Sequence, residues 1–99
     1  IWDESLYELA SLRAQEIVSS FSHQRPDGSY VGDVMLGQYG LSGCGENIAA
    51  NYTSVTNLVN GWMSSVGHRE NLLSSQFSAG VMACYRHNGN HYWVNLFRQ

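Results

Sequence analysis

Apolar positions near the start of the chain recur every three to four residues. Leu6, Leu9, Ala10, Ile17 and Val18 fall on one stripe, with Arg13 and Glu16 available for a wet side. That period is helical, so a helix is expected over residues 3–21, with Asp3 placed to cap its start. The pattern stops at residues 22–29, where Pro26-Asp27-Gly28 reads as a turn: proline presets one φ and glycine permits the next. His23 therefore lies where a helix runs out into a loop. A short helix fits residues 33–39, followed by the glycine-rich stretch 40–45, where the backbone turns sharply or approaches something closely. Glu46 comes directly after it.

A second amphipathic helix is expected over residues 54–65, because Val55, Leu58, Val59, Trp62 and Met63 share a stripe and Ser54 can cap the start. Gly61 inside it costs about 1 kcal/mol relative to alanine, so its presence points to close packing. Residues 67–73 add a further turn or two, with His68 near the helix start and Leu72 and Leu73 as core contacts. The last quarter changes period. Residues 80–86 and 91–97 are rich in β-formers around His87-Asn88-Gly89-Asn90, and an Asn-Gly pair between such runs signals a hairpin. Helices first and an antiparallel hairpin last make an α+β fold.

Composition bounds the size and class. Ninety-nine residues fit one domain, read here as 1–99. With 43% apolar and only 13% charged residues the chain has the makings of a packed core. Five arginines, no lysine and a net charge of -3 leave no basic footprint for nucleic acid, and no apolar run is long enough to span a bilayer. Cys44 and Cys84 form no CxxC. They could close a long loop as a disulfide or stand as two buried thiols.

Chemistry concentrates at three residues. Of the histidines, His87 and His91 flank the hairpin turn, whereas His23 and His68 sit at element boundaries beside residues that let the backbone turn inward. Glu46 lies between a glycine cluster and an apolar run, so burial would demand a partner for its charge. Two histidines and a carboxylate are a minimal set for a divalent transition metal or for general base work, yet the spacing contains no HExxH to select that chemistry. Neither a GxSxG elbow nor a phosphate-binding GxxxxGK[ST] loop is present.

Four strings in order carry a resemblance: Phe21-Ser22-His23 with Pro26-Asp27-Gly28; Gly45-Glu46-Asn47-Ile48-Ala49; Gly61-Trp62-Met63-Ser64-Ser65 running into Gly67-His68-Arg69-Glu70-Asn71-Leu72-Leu73; and Tyr92-Trp93-Val94-Asn95-Leu96-Phe97. Together they resemble the CAP superfamily of cysteine-rich secretory, antigen 5 and pathogenesis-related proteins, and within it the bacterial SCP-like extracellular domains. The resemblance implies a compact three-layer α-β-α sandwich with the C-terminal antiparallel hairpin inside it. It implies a cleft in which His23, Glu46 and His68 could ligate a divalent cation, zinc foremost. A second family glutamate falls here on Ser65, so such an ion would be held weakly.

The resemblance also implies an extracellular or cell-surface location, which favours a Cys44–Cys84 bridge. Its leading functional reading is a secreted, monomeric binding domain for a protein, peptide or lipid ligand, with no nucleic acid and no membrane span. Two alternatives accompany it: a hydrolase using His23, Glu46, Ser65 and His68, and a lipid- or sterol-binding domain. The resemblance leaves open whether the domain is an enzyme.

Overall fold

The first helix is started by its own neighbours. In the computed structural model, which describes residues 1–41 and 43–99, the Asp3 carboxylate accepts from the Ser5 amide at 3.1 Å and the Ser5 hydroxyl at 2.6 Å. A 3-10 turn, Glu4–Leu6, then leads into α1, Tyr7–Ser19. The expected helix is thus present, but its first turn is wound tighter and it ends at Ser19. Its buried side is Leu6, Leu9, Ala10, Arg13, Ala14 and Ile17. Arg13 therefore belongs to the core stripe and not to the wet side, for it lies four residues after Leu9 and four before Ile17.

Helix α2, Val31–Tyr39, starts two residues ahead of the expected position, where the Tyr30 amide donates to the Asp33 carboxylate at 3.2 Å. It stops at Gly40, whose φ of 67° is the left-handed conformation that closes many helices. Ser54 caps α3, Val55–Met63, by accepting from the Asn57 amide. At Gly61 the Tyr52 ring lies directly over the backbone, so the close packing expected of this glycine is real. Helix α4, Val66–Leu73, follows almost at once and has no fully buried residue.

Three antiparallel strands form the sheet: β1, Gly45–Ala50; β2, Ala79–His87; and β3, Asn90–Arg98, in spatial order β1-β3-β2. The hairpin turns through Asn88 and Gly89, both at positive φ, as an Asn-Gly pair should. Strand β1 is the element that periodicity does not announce. Its opening Gly-Glu-Asn shows no alternation of apolar and polar residues, and it becomes a strand by pairing with β3, Glu46 opposite Leu96 and Ile48 opposite Val94.

Each face of the sheet carries its own core. Ile48, Val81, Ala83, Val94 and Leu96 pack with α1 and α2, whereas Ala49 and Trp93 pack with Leu58 and Trp62 of α3 and with Leu72 of α4. Strand β3, buried on both faces through Trp93–Leu96, thus serves two cores at once.

The sheet order does not bring the two cysteines of the expected disulfide together. Cys44 precedes β1 and Cys84 lies on β2, with β3 between them. Two strand spacings of about 4.8 Å already come to about 10 Å, and Cys84 stands level with Trp93 and Ala49, five residues along the sheet from Cys44, well beyond the roughly 7 Å that a bridge tolerates between Cα atoms. Cys44 packs toward the α1 side, while Cys84 alternates with Val81 and Ala83 and so leaves the opposite face. Both are free thiols, and burial raises the pKa of each.

Two predictions follow from this packing. Ellman's reagent added to chain unfolded without reductant is expected to count two thiols, and a count of zero would restore the bridge. Gly80→Ala would place a Cβ 2.5 Å from the Leu96 carbonyl oxygen, a backbone atom that cannot swing aside. Urea unfolding is expected to show a loss of about 1–3 kcal/mol, as for other overpacked sites, and an unchanged midpoint would refute the clash.

Candidate functional site

Strand alternation builds the site. Glu46 and Ile48 point toward α1, whereas Asn47 and Ala49 point toward α3 and α4. At Gly45 the ring of Phe77 takes the side-chain position: a Cβ would stand 2.9 Å from its Cζ. The Gly-Glu-Asn string thus has three separate jobs in three consecutive residues.

Glu46 is buried against Arg13, which is itself wholly buried. The contact is two-pronged, with Arg13 Nε donating to Glu46 Oε2 at 2.7 Å and Nη2 to Oε1 at 3.0 Å. Arg13 also donates from Nη1 to Glu16 at 2.9 Å and from Nη2 to the Ser22 carbonyl at 2.9 Å. Glu16 in turn accepts from Arg25 Nε at 3.1 Å and Nη2 at 2.9 Å. Burial alone would raise the Glu16 carboxyl pKa, but Arg25 and Arg13 outweigh it and hold it below the usual range. Two arginines and two glutamates close into a network without net charge. That network grips the loop on both sides of His23, at Ser22 and at Arg25.

His23 places Nδ1 3.0 Å from Glu46 Oε1. A carboxylate paired with arginine only accepts, so Nδ1 carries the proton and the lone pair of the neutral ring stands on Nε2. The second histidine is prepared differently. Ser65 precedes α4 as its N-cap, yet its hydroxyl makes no backbone cap; it lies 3.0 Å from His68 Nδ1. The His68 ring stacks on Trp62 with centroids 6.2 Å apart, and the Trp62 indole N–H donates to the Ile48 carbonyl at 3.2 Å. Asn47 donates to the His68 carbonyl at 3.1 Å and accepts from Asn71 at 2.9 Å, tying α4 to β1.

His23, Glu46, Asn47, Ser65, His68 and Asn71 line one cleft of about 260 Å³. A smaller hollow of about 170 Å³ continues past His23 toward Tyr30 and Cys44. Burial, and then the proximity of His23, lower the pKa of His68. Among the described residues, no hydrogen bond reaches Nε2 of either ring. His91, at the far end of the sheet, accepts from Arg86 at 2.9 Å and stacks on Trp93, outside this cleft. A separate cleft of about 310 Å³ lies between α4 and the sheet beside Phe77 and Phe97, and holds neither histidine of the site.

All four expected residues thus converge, but not in the expected roles. Serine, histidine and glutamate do not form one relay: Ser65 is bonded to His68, and Glu46 to His23. Both oxygens of Glu46 are taken by Arg13 and His23. Among the described residues, no three histidine, cysteine, aspartate or glutamate side chains are grouped to hold a metal ion. Arg13, Asn47 and Asn71 are the site residues that motif reading omits. Arg13 was visible as a charge on an apolar stripe.

Residues 1–97 match the protein family described as CAP, the cysteine-rich secretory protein family. The chain is 35% identical over 80 residues to the Bacillus subtilis protein YkwD, covering 77% of this chain and 31% of that one. It is 34% identical over 80 residues to the Bacillus subtilis membrane protein YlbC, covering 78% and 23%. The chain thus spans a third or less of the curated relatives it matches. It superposes with a TM-score of 0.86 at 30% identity on an SCP-domain extracellular protein from Bacillus anthracis, over 99% of this chain and 33% of that one. An outer surface protein from Borrelia burgdorferi, 18% identical, gives the same TM-score of 0.86 over 99% and 75%, a likeness of fold alone. No helix among the described residues is long and apolar enough to cross a membrane.

The electrostatics of the two rings predict a titration. Because the folded state favours neutral His68, its stabilising effect is present above about pH 6.5 and is lost as the pH falls. NMR titration of the imidazole signals is expected to place His68 below about 6.5, and His23→Gln should move it part of the way back. A midpoint that ignores His23 would separate the two rings.

Proposed function

Because the chain belongs to the CAP, or cysteine-rich secretory protein, family, we propose that it is a binding domain acting outside the cytoplasm, with the cleft between His23 and His68 as its ligand site. One observation carries this reading: both rings have Nδ1 engaged by protein groups and line the same cleft with Nε2 uncommitted. Imidazoles fixed in this way are suited to accept a ligand's charge or proton. The extracellular SCP-domain relative from Bacillus anthracis supports the location.

A divalent cation of borderline softness, zinc by preference, is the small ligand that two imidazoles fit. Glu46 orients His23 in this reading and does not ligate. With neutral donors only, affinity is low, and a donor from a bound protein or peptide would complete the set. The chain's own contribution is to hold His23 through Glu46 and the Ser22 carbonyl, and His68 through Ser65, Trp62 and Asn47.

Calorimetric titration with zinc near neutral pH is the direct test. Heat is expected at high micromolar to millimolar metal and is expected to vanish in His23→Ala and in His68→Ala. Wild-type protein that takes up no zinc at millimolar concentration would reject the cation reading.

A further inference from the structure

We propose that Arg13 determines the ligand preference of this cleft: its guanidinium fills the charge position that a cation would otherwise take at Glu46, and so keeps that carboxylate out of coordination. Arg13 has no solvent exposure, and its two-pronged contact uses both oxygens of Glu46. Such charge-assisted pairs are strong and geometrically specific. A guanidinium does not give up its proton at any physiological pH, so an approaching divalent cation cannot relieve the repulsion by deprotonating it. Glu16 and the Ser22 carbonyl hold the same guanidinium from its other side, which prevents it from turning away.

The network therefore contributes no net negative charge to the cleft, although a buried carboxylate lies on its wall. Cation sites gain affinity from negative ligands that offset the ion's charge. Removing the arginine while keeping its volume, as in Arg13→Met, leaves Glu46 buried with only His23 as partner. A carboxylate in that position recruits a cation. The inference rests on the cation reading only in using His23 and His68 as the other donors.

The experiment is zinc affinity by calorimetry, with folding followed by circular dichroism, in wild type, Arg13→Met, Glu46→Gln and the double variant. Arg13→Met is expected to bind zinc at least tenfold tighter than wild type, and the double variant to lose that gain. Glu46→Gln alone is expected to weaken wild-type uptake, because it loosens the hold on His23, and not to tighten it as Arg13→Met does. Should Arg13→Met fail to fold, millimolar zinc is expected to restore its structure, because the ion replaces the missing positive charge.

An Arg13→Met protein that binds no tighter, or that zinc does not refold, overturns the inference. So does a double variant that keeps the gain of Arg13→Met. Wild type without zinc uptake beside a tightly binding Arg13→Met sinks the cation reading for the native cleft and leaves the role of Arg13 standing.

Discussion

The buried pair of Arg13 and Glu46 is the contact on which the rest of the site depends. Two ions removed from water lose several kcal/mol of solvation each, and their attraction compensates only when geometry and further hydrogen bonds are right. Here both conditions hold, since every oxygen of the carboxylate is met and the guanidinium also reaches Glu16 and Ser22. An apolar pair of the same volume could serve stability as well. It could not fix the register of three segments at once. Helix α1, strand β1 and the loop after α1 all meet at one guanidinium, so the loop's histidine inherits its position from the core.

Strand β1 lies at the edge of the sheet, and edges invite further pairing. Two of its outward carbonyls are met: Trp62 donates to Ile48, and Asn71 approaches Glu46 at 3.4 Å. The same two side chains attach the His68 segment to the strand. Protection of the edge and construction of the cleft are therefore one arrangement, which explains why the Trp62 and Asn71 strings flank the histidine so closely in sequence. The opposite edge, at β2, is met at its start, where Gly80 bridges to Trp2.

Helices and the hairpin were legible because their signals are local: a stripe in residues 3–21 and 54–65, and an Asn-Gly turn between β-formers. Strand β1 was not, because its pattern exists only in relation to β3. The convergence of His23, Glu46, Ser65 and His68 was reached through family motifs, since positions spread along the chain have no spacing rule to join them. Their division into two pairs was beyond reach, because strand alternation decides it, sending Glu46 to one face and Asn47 to the other. Arg13 was misplaced for a different reason. A charge on an apolar stripe reads as exposed unless its partner is known, and the partner stands thirty-three residues away. The cysteines failed similarly, for separation in sequence carries no information about which strand comes between them.

Helix α4 completes the cleft without a single fully buried side chain. Its attachments are asparagine hydrogen bonds, the Trp62 stack and the partial burial of Leu72. Segments with so little apolar surface to lose open at a small fraction of the global unfolding free energy. The two walls of the cleft are therefore held differently: the His23 wall through a charge pair in the core, the His68 wall mainly through polar contacts and an aromatic stack. A ligand that bridges both walls would thus join a segment fixed by the core to one whose place is set by side-chain amides, and would add to α4 the tertiary contact that its own sequence supplies so sparingly.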